Sequence, residues 1–346
     1  MHRWKAILLL VALALGVLVG CSSPFEAEEV VVNLPAGGSV TKTVTIDLPD
    51  PSSGDVGADV MWLVDLSGSF GDDLTTWRDQ ADGIVDALDE YLADLRVGLS
   101  SFVDAPCLSF GDSYSGDYGY RLDLALTDNV GQFKSLLDDL VVYSGSDEPE
   151  SQLEAMYQAM TGAGRTIEGG DCDAADIPAT DPGWESGRLR FLLVSTDASF
   201  HTPDDEGYPY PTTAQDVINT AQAQGVTIIF FDGSDIDESA YAIAEDTNGA
   251  VFSVGASSDE LINAIREAVG GSITSAEVSL VPVGDEGLVS RINPDSVVVD
   301  LTTTRTVSFD VTFTDTGVAA GEVRFNLEIR VNGSLIGTVP VKVVLE

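Results

Sequence analysis

Asp65-Leu-Ser67-Gly-Ser69 sets a carboxylate and two hydroxyls at i, i+2 and i+4 of one short loop, followed at once by Asp72-Asp73. These are hard oxygen donors, suited to Mg2+, Mn2+ or Ca2+ and ill suited to softer ions. Because hydroxyls carry no charge, an ion held in this way keeps a deficit of negative charge and can accept a carboxylate from outside. The chemistry on offer is capture of an acidic partner through a metal. The pattern also has a plainer reading, since Ser and Asp cap helices, and Asp72 with Asp73 would favour a helix start with no ion present. Context sharpens it: an unbroken apolar run, Val60-Met-Trp-Leu-Val64, precedes the loop, and Ser195-Thr-Asp197-Ala ends another apolar run and offers a second carboxylate.

Those loops need a scaffold. From Val60 to about Gly270 short apolar runs alternate with longer amphipathic stretches, the pattern of a parallel sheet with crossover helices. Strands are expected at 60–64, 96–102, 121–126, 189–195, 227–231 and 250–254. Helices are expected at 72–94, 130–140, 150–160, 213–224, 238–245 and 259–269. A strand with no polar interruption is covered on both faces, and in such sheets ligands bind beyond the carboxyl ends of the strands. The flanks at 30–48 and 276–346 instead alternate in polarity and turn at Asn332-Gly333, which reads as antiparallel β. Two strands before the α/β region and about five after it point to one β-sandwich with the α/β domain inserted. The expected linkers are 50–55 on the way in and 270–272 on the way out. Asn332-Gly-Ser334 fits a glycosylation sequon but reads as turn chemistry.

The domain plan is therefore a leader at 1–20, sandwich segments at 21–58 and 272–346, and a doubly wound, mostly parallel six-stranded α/β domain at 59–271. The leader carries His2, Arg3 and Lys5, then an apolar run from Ala6 to Gly20 that ends in Leu18-Val19-Gly20-Cys21. The run falls short of the about 20 residues that a spanning helix needs, and it looks like a bacterial lipoprotein signal with Cys21 as the lipidated residue. The mature chain would then be exported and hang from a membrane of the bacterial envelope by acyl chains alone. In an oxidising compartment Cys107 and Cys172 are expected to pair. With 16 Lys plus Arg against 57 Asp plus Glu, the net charge of −41 repels phosphate backbones and excludes nucleic acid as a partner. Adaptation to high salt explains the bulk charge equally well, but not where particular carboxylates cluster. Asp171-Cys-Asp173 with Asp176 and Asp181 lacks the Gly and terminal Glu of a calcium loop and reads as surface.

The motifs in order resemble the von Willebrand factor type A domain with its metal-ion-dependent adhesion site, and more narrowly the I-like domain of integrin beta subunits. The residues that carry the resemblance are Asp65-Leu-Ser-Gly-Ser69 with Asp72-Asp73, Val97-Gly-Leu-Ser-Ser-Phe-Val-Asp104-Ala-Pro, Gly119-Tyr-Arg with Leu126-Thr-Asp128, Asp147-Glu-Pro-Glu150, Gly183-Trp184 and Leu193-Val-Ser-Thr-Asp197-Ala-Ser-Phe-His201. The flanking β segments look like the hybrid domain into which that domain is inserted. The resemblance implies a central Mg2+ or Mn2+ site at Asp65, Ser67, Ser69, Glu150 and Asp197. It implies an adjacent Ca2+ site at Asp72, Asp73 and the Ser69 carbonyl, and a third Ca2+ site at Asp104, Asp147, Glu150 and the Pro149 carbonyl. At the third site the family's asparagine falls at about Gly145, and Ser144 and Ser146 are the nearby substitutes. The loop from Ala105 to Tyr118 is much shorter than the family's specificity loop. Phe200 and His201, just past Asp197, are placed either to line the ligand rim or to pack, and packing is the expectation. The function implied is a surface-anchored module that captures an acidic side chain or C-terminus of a protein partner. The alternatives are a structural envelope lipoprotein stiffened by calcium and, least supported, a metal-dependent hydrolase, for which no nucleophile–base pair or phosphate-cradling loop exists.

Overall fold

A computed structural model describes residues 25–107, 109–167, 172, 175–233, 237–253 and 258–346. The expected leader and Cys21 lie outside the described residues, as do Asp171 and Asp173. Three strands come first: β1 (Phe25–Glu26), β2 (Val30–Leu34) and β3 (Ser39–Asp47). The α/β unit follows as β4 (Gly57–Asp65), α1 (Gly71–Asp79), α2 (Ala81–Asp89), β5 (Leu95–Phe102), β6 (Arg121–Thr127), α3 (Val130–Asp139), α4 (Gln152–Thr161), β7 (Arg188–Thr196), α5 (Ala214–Gln224), β8 (Val226–Asp232), α6 (Glu238–Asp246), β9 (Val251–Ser253) and α7 (Ser258–Thr274). The chain closes with β10 (Ala276–Val283), β11 (Val289–Asn293), β12 (Ser296–Val299), β13 (Thr306–Thr314), β14 (Gly321–Val331) and β15 (Ser334–Leu345).

The central sheet runs β6-β5-β4-β7-β8-β9, parallel except for β6. All nine residues of β4 are buried, because alternate side chains feed two cores. Val60, Trp62 and Val64 join the core that holds Leu74, Ile84, Phe133 and Leu261, so α1, α2, α3 and α7 cover one face. Met61 and Leu63 join Met156, Val217 and Ile243, so α4, α5 and α6 cover the other. Trp62 is locked on its face by the edge of Trp77 at 4.5 Å between centroids and by a 2.7 Å bond from its Nε1 to Ser195 Oγ. A mostly parallel sheet covered by helices on both sides is the doubly wound α/β architecture expected of this region, and the β-rich flanks sit beside it.

Three expectations change. The helix expected over 72–94 is two helices that meet at Gln80, and α2 stops at Asp89. The apolar stripe continues across the break, so periodicity does not reveal it. The bend follows from two anchors: Trp77 against Trp62, and Gly83 pressed so close to α7 that a Cβ there would lie 3.0 Å from Ile262 Cδ1. The glycines at 270–272, expected as a linker, are helical, because α7 continues to Thr274 and its last buried residue, Ile273, still packs in the core. Glu150, expected as the first residue of a helix, lies before α4 and forms a parallel bridge with Phe200.

Strands from before and after the α/β unit share sheets. β3 pairs along its whole length with β13, and β2 pairs in parallel with β15. The β14–β15 turn then plugs into the α/β unit at the amino ends of β7 and β8. Asn332 is buried there: its Oδ1 accepts from Glu277 N and its Nδ2 donates to Ser272 O, both at 2.8 Å. Ser334 Oγ donates to Gly225 O at 2.5 Å and accepts from Arg190 N at 3.2 Å. A Cβ on Gly225, whose φ is +65°, would fall 2.3 Å from Gly333 O. The Asn-Gly-Ser triplet is thus turn chemistry with its amide inside the protein.

Candidate metal centre

Four loops converge at the carboxyl ends of the central strands. The first carries Asp65, the last residue of β4. Asp65 is fully buried, with Oδ1 accepting from Ser67 N at 2.8 Å and Oδ2 accepting from Thr196 Oγ1 at 2.7 Å. Those two bonds turn the loop back on itself, so that Ser67 Oγ lies 3.1 Å from Ser69 Oγ, which in turn donates to Asp197 Oδ1 at 3.0 Å. Four of the five residues assigned to the central site are thereby joined in one chain of contacts. Gly68 permits this: its N–H donates to Ser144 O, and a Cβ would sit 2.9 Å from that oxygen.

Glu150, the fifth, is held by backbone bonds from its N to Ser199 O and from His201 N to its own O. Its carboxylate is buried, with Oε2 lacking a partner. Oε1 lies where a Cβ on Gly145 would be, 2.5 Å away, and Gly145 has φ +53°. No asparagine could stand at 145 without displacing this carboxylate. Ser144 Oγ donates to the Gly145 carbonyl.

The electrostatics follow from burying carboxylates together. Burial pushes Asp65 up to about 7 against the opposing bonds from Thr196 and Ser67. Burial, followed by repulsion from Asp65, Asp104, Asp147 and Asp117, pushes Glu150 up to about 11. Asp147 is also raised, by burial and by Asp104. Acids raised by one another's charge and an orphaned buried oxygen are what a cation would relieve. The donor set fits a hard divalent ion: Asp65, Ser67, Ser69, Glu150 and Asp197 would hold it.

At the adjacent site, Asp73 reaches the same neighbourhood. A Cβ on Gly233 would fall 2.9 Å from Asp73 Oδ2 and 3.0 Å from Asp197 Cβ. Asp72 is the second residue of α1, and its side chain is outside the description.

At the third site Asp104 is fully buried. Its Oδ1 accepts from Ala105 N at 2.6 Å and from Ser151 Oγ at 2.7 Å, and its Oδ2 has no partner. Pro149 ends the bend that begins at Asp147. The residue that the sequence reading missed is His201. Phe200 packs, 3% exposed and stacked on Phe230, but His201 does more than pack. Its Nε2 faces Asp104 Oδ2 at 3.5 Å and Asp147 Oδ1 at 3.7 Å, and its Nδ1 is 3.0 Å from Asp205 Oδ2. Burial disfavours its protonation, yet the facing carboxylates of Asp104, Asp205 and Asp147 outweigh that and push it up to about 8. A His four residues before an Asp was the available signal.

The short loop at 103–118 is pinned rather than free. Asp117 accepts from Asp112 N and Ser144 N, and the Cys107–Cys172 disulfide, with Cα atoms 5.0 Å apart, ties the loop to the segment before Ala175. Asp176 and Asp181 cap backbone N–H groups of Ile167 and Gly183 and take no part in the centre.

Residues 54–209 match the family described as the integrin beta chain VWA domain. Integrin beta pat-3 of Caenorhabditis elegans is 26% identical over 179 residues, covering 48% of this chain and 19% of that protein. Integrin beta-2 of Sus scrofa is 27% identical over 180 residues, covering 45% of this chain and 23% of that protein. The chain thus matches about a fifth of the length of these relatives. The solved structure of proximal thread matrix protein 1 from the mussel byssus is similar at a TM-score of 0.42 and 14% identity, over 66% of this chain and 47% of that one, a likeness that carries no argument.

Proposed function

From the premise that this chain carries an integrin-beta-type von Willebrand factor A domain, we propose that it is a surface-anchored, divalent-metal-dependent adhesion module that captures an acidic group of a protein partner. The observation that carries the reading is the convergence of Asp65, Ser67, Ser69 and Asp197 at the carboxyl end of β4 and β7, together with the buried carboxylate of Glu150, whose Oε2 makes no hydrogen bond. A bound Mg2+ or Mn2+ supplies a positive centre that a partner's carboxylate can join. Asp65, Ser67, Ser69, Glu150 and Asp197 offer five oxygen donors, and Mg2+ takes six, so one position is left for an oxygen of the partner's carboxylate. Asp72, Asp73 and the Ser69 carbonyl would hold a flanking Ca2+ that sets the position of the loop. Export and lipidation at Cys21 are supported by the lipobox and by the Cys107–Cys172 disulfide, which fits an oxidising compartment.

The test is selection of short displayed peptides on the Mg2+-loaded chain, with elution by chelator. The reading expects enriched peptides to share an Asp, a Glu or a free C-terminus, and to lose binding to Asp65→Ala while that variant keeps its fold. Peptides that lack an acidic group, or binding that survives chelation, would overturn it. A chelator-induced drop in melting temperature with no metal-dependent binder would favour the calcium-stiffened structural reading instead.

A further inference from the structure

We propose that the cluster of Asp104, Asp147 and His201 is a site for a borderline transition ion of the Zn2+ class, with Asp205 orienting the histidine, and that it is not a Ca2+ site. The three side chains place one ligand atom each within 4.8 Å of one another. Ligands about 2.0–2.1 Å from a tetrahedral ion lie about 3.4 Å apart, close to the 3.5 and 3.7 Å separating His201 Nε2 from the two carboxylate oxygens. Asp104 Oδ2 and His201 Nε2 are buried and, though they face each other at 3.5 Å, make no hydrogen bond, and Glu150 Oε2 is a third buried atom that makes none. His201 itself is 2% exposed.

The second shell has the form that a ligating imidazole needs. Nδ1 lies 3.0 Å from Asp205 Oδ2, and that oxygen also accepts from Thr202 N at 2.8 Å. A carboxylate on one ring nitrogen places the proton there and leaves the lone pair of the other for a metal. The ring plane is fixed by Tyr208, stacked at 4.7 Å, and by Phe110, edge-on at 4.9 Å. Ca2+ takes oxygen ligands, whereas imidazole suits Zn2+ and its neighbours. The 145 position offers no side-chain oxygen in compensation, since Glu150 fills the space a side chain there would need. This inference does not depend on partner capture at Asp65.

The experiment uses the full chain in detergent with His2→Ala, so that His201 is its one histidine. The chain is stripped by chelator and returned to saturating Mg2+ and Ca2+. Zn2+ is then titrated by calorimetry, Co2+ is followed by visible absorption, and imidazole nitrogen resonances are recorded before and after Zn2+. The proposal expects one equivalent of Zn2+ to bind despite the Ca2+, with one imidazole nitrogen metal-bound and the other protonated. It expects His201→Asn to weaken Zn2+ by about 100-fold or more and Asp205→Asn by about 10-fold. Asp65→Ala should leave Zn2+ binding unchanged while losing the Mg2+ response, which separates this site from the central one. Zn2+ that competes evenly with Ca2+, His201→Asn with unchanged Zn2+ affinity, or an imidazole protonated on both nitrogens in the presence of Zn2+ would overturn it. In the last case His201 serves as an internal cation. The nitrogen spectrum of the unsubstituted site decides the matter even if His201→Asn fails to fold.

Discussion

Asp65 is a buried carboxylate whose bonds from Ser67 N and Thr196 Oγ1 shape the loop without neutralising its charge. In the metal-free fold its carboxyl is raised from an ordinary 3.8 to about 7. Between those values the folded chain holds a proton that the unfolded chain has released, so stability falls as pH rises through the window. Glu150, raised from 4.5 to about 11, extends the same trend upward. The metal-stripped chain is therefore expected to melt at a lower temperature at pH 8 than at pH 5, and Mg2+ with Ca2+ at pH 8 should reverse the loss. Asp65→Asn removes the buried charge and should raise the stripped chain's melting temperature at pH 8 while abolishing the increment from Mg2+; differential scanning calorimetry reads both. At this scale the sequence was informative where spacing is local, as in Asp65, Ser67 and Ser69. It offered no polar role for His201, whose partners Asp104 and Asp147 come from other loops and meet it only after the sheet has ordered them.

Strands and helices follow directly from composition where burial is two-sided. Val60-Met-Trp-Leu-Val64 reads as a central strand because each residue has a core to enter. Boundaries set by tertiary contact were not legible: the bend at Gln80 depends on Trp62 and Ile262, and the helical course of residues 270–272 on the burial of Ile273. The β14–β15 turn shows how much a local signal can leave unsaid. Asn332-Gly333 announces a hairpin, but not that Asn332 satisfies Glu277 N and Ser272 O inside a junction. Asn332→Ala leaves both groups unpaired and should destabilise the chain by about 2 kcal/mol, measured by denaturant unfolding. Gly225→Ala should cost at least as much, because its added Cβ meets Gly333 O and its φ is left-handed.

Taken whole, the molecule is an α/β unit whose candidate metal centre and junction with the β-rich flanks lie at opposite ends of the central strands. Asp65, Asp104 and Asp197 lie at or just past the carboxyl ends of β4, β5 and β7, while the amino ends of β7 and β8 receive Ser334 and Leu335. Among the described residues no helix is long and apolar enough to cross a membrane. The disulfide spans a sequence separation of 65 residues, and closing a loop of that size stabilises by about 4 kcal/mol on chain-entropy grounds. It also braces the loop that begins with Asp104. Reduction should accordingly lower the denaturation midpoint and weaken metal binding at Asp104 before it affects the Asp65 site, which titration of the reduced chain would show. Calorimetric and melting titration of the chain with Mg2+ and Ca2+, wild type beside Asp65→Ala and Asp72→Ala/Asp73→Ala, should give saturable binding with a raised melting temperature. Asp65→Ala should lose the Mg2+ response, and the paired substitution should lose a separate Ca2+ response. Flat titrations, or a wild-type response that survives Asp65→Ala unchanged, would contradict the account and leave the converging carboxylates as salt adaptation on an inert scaffold.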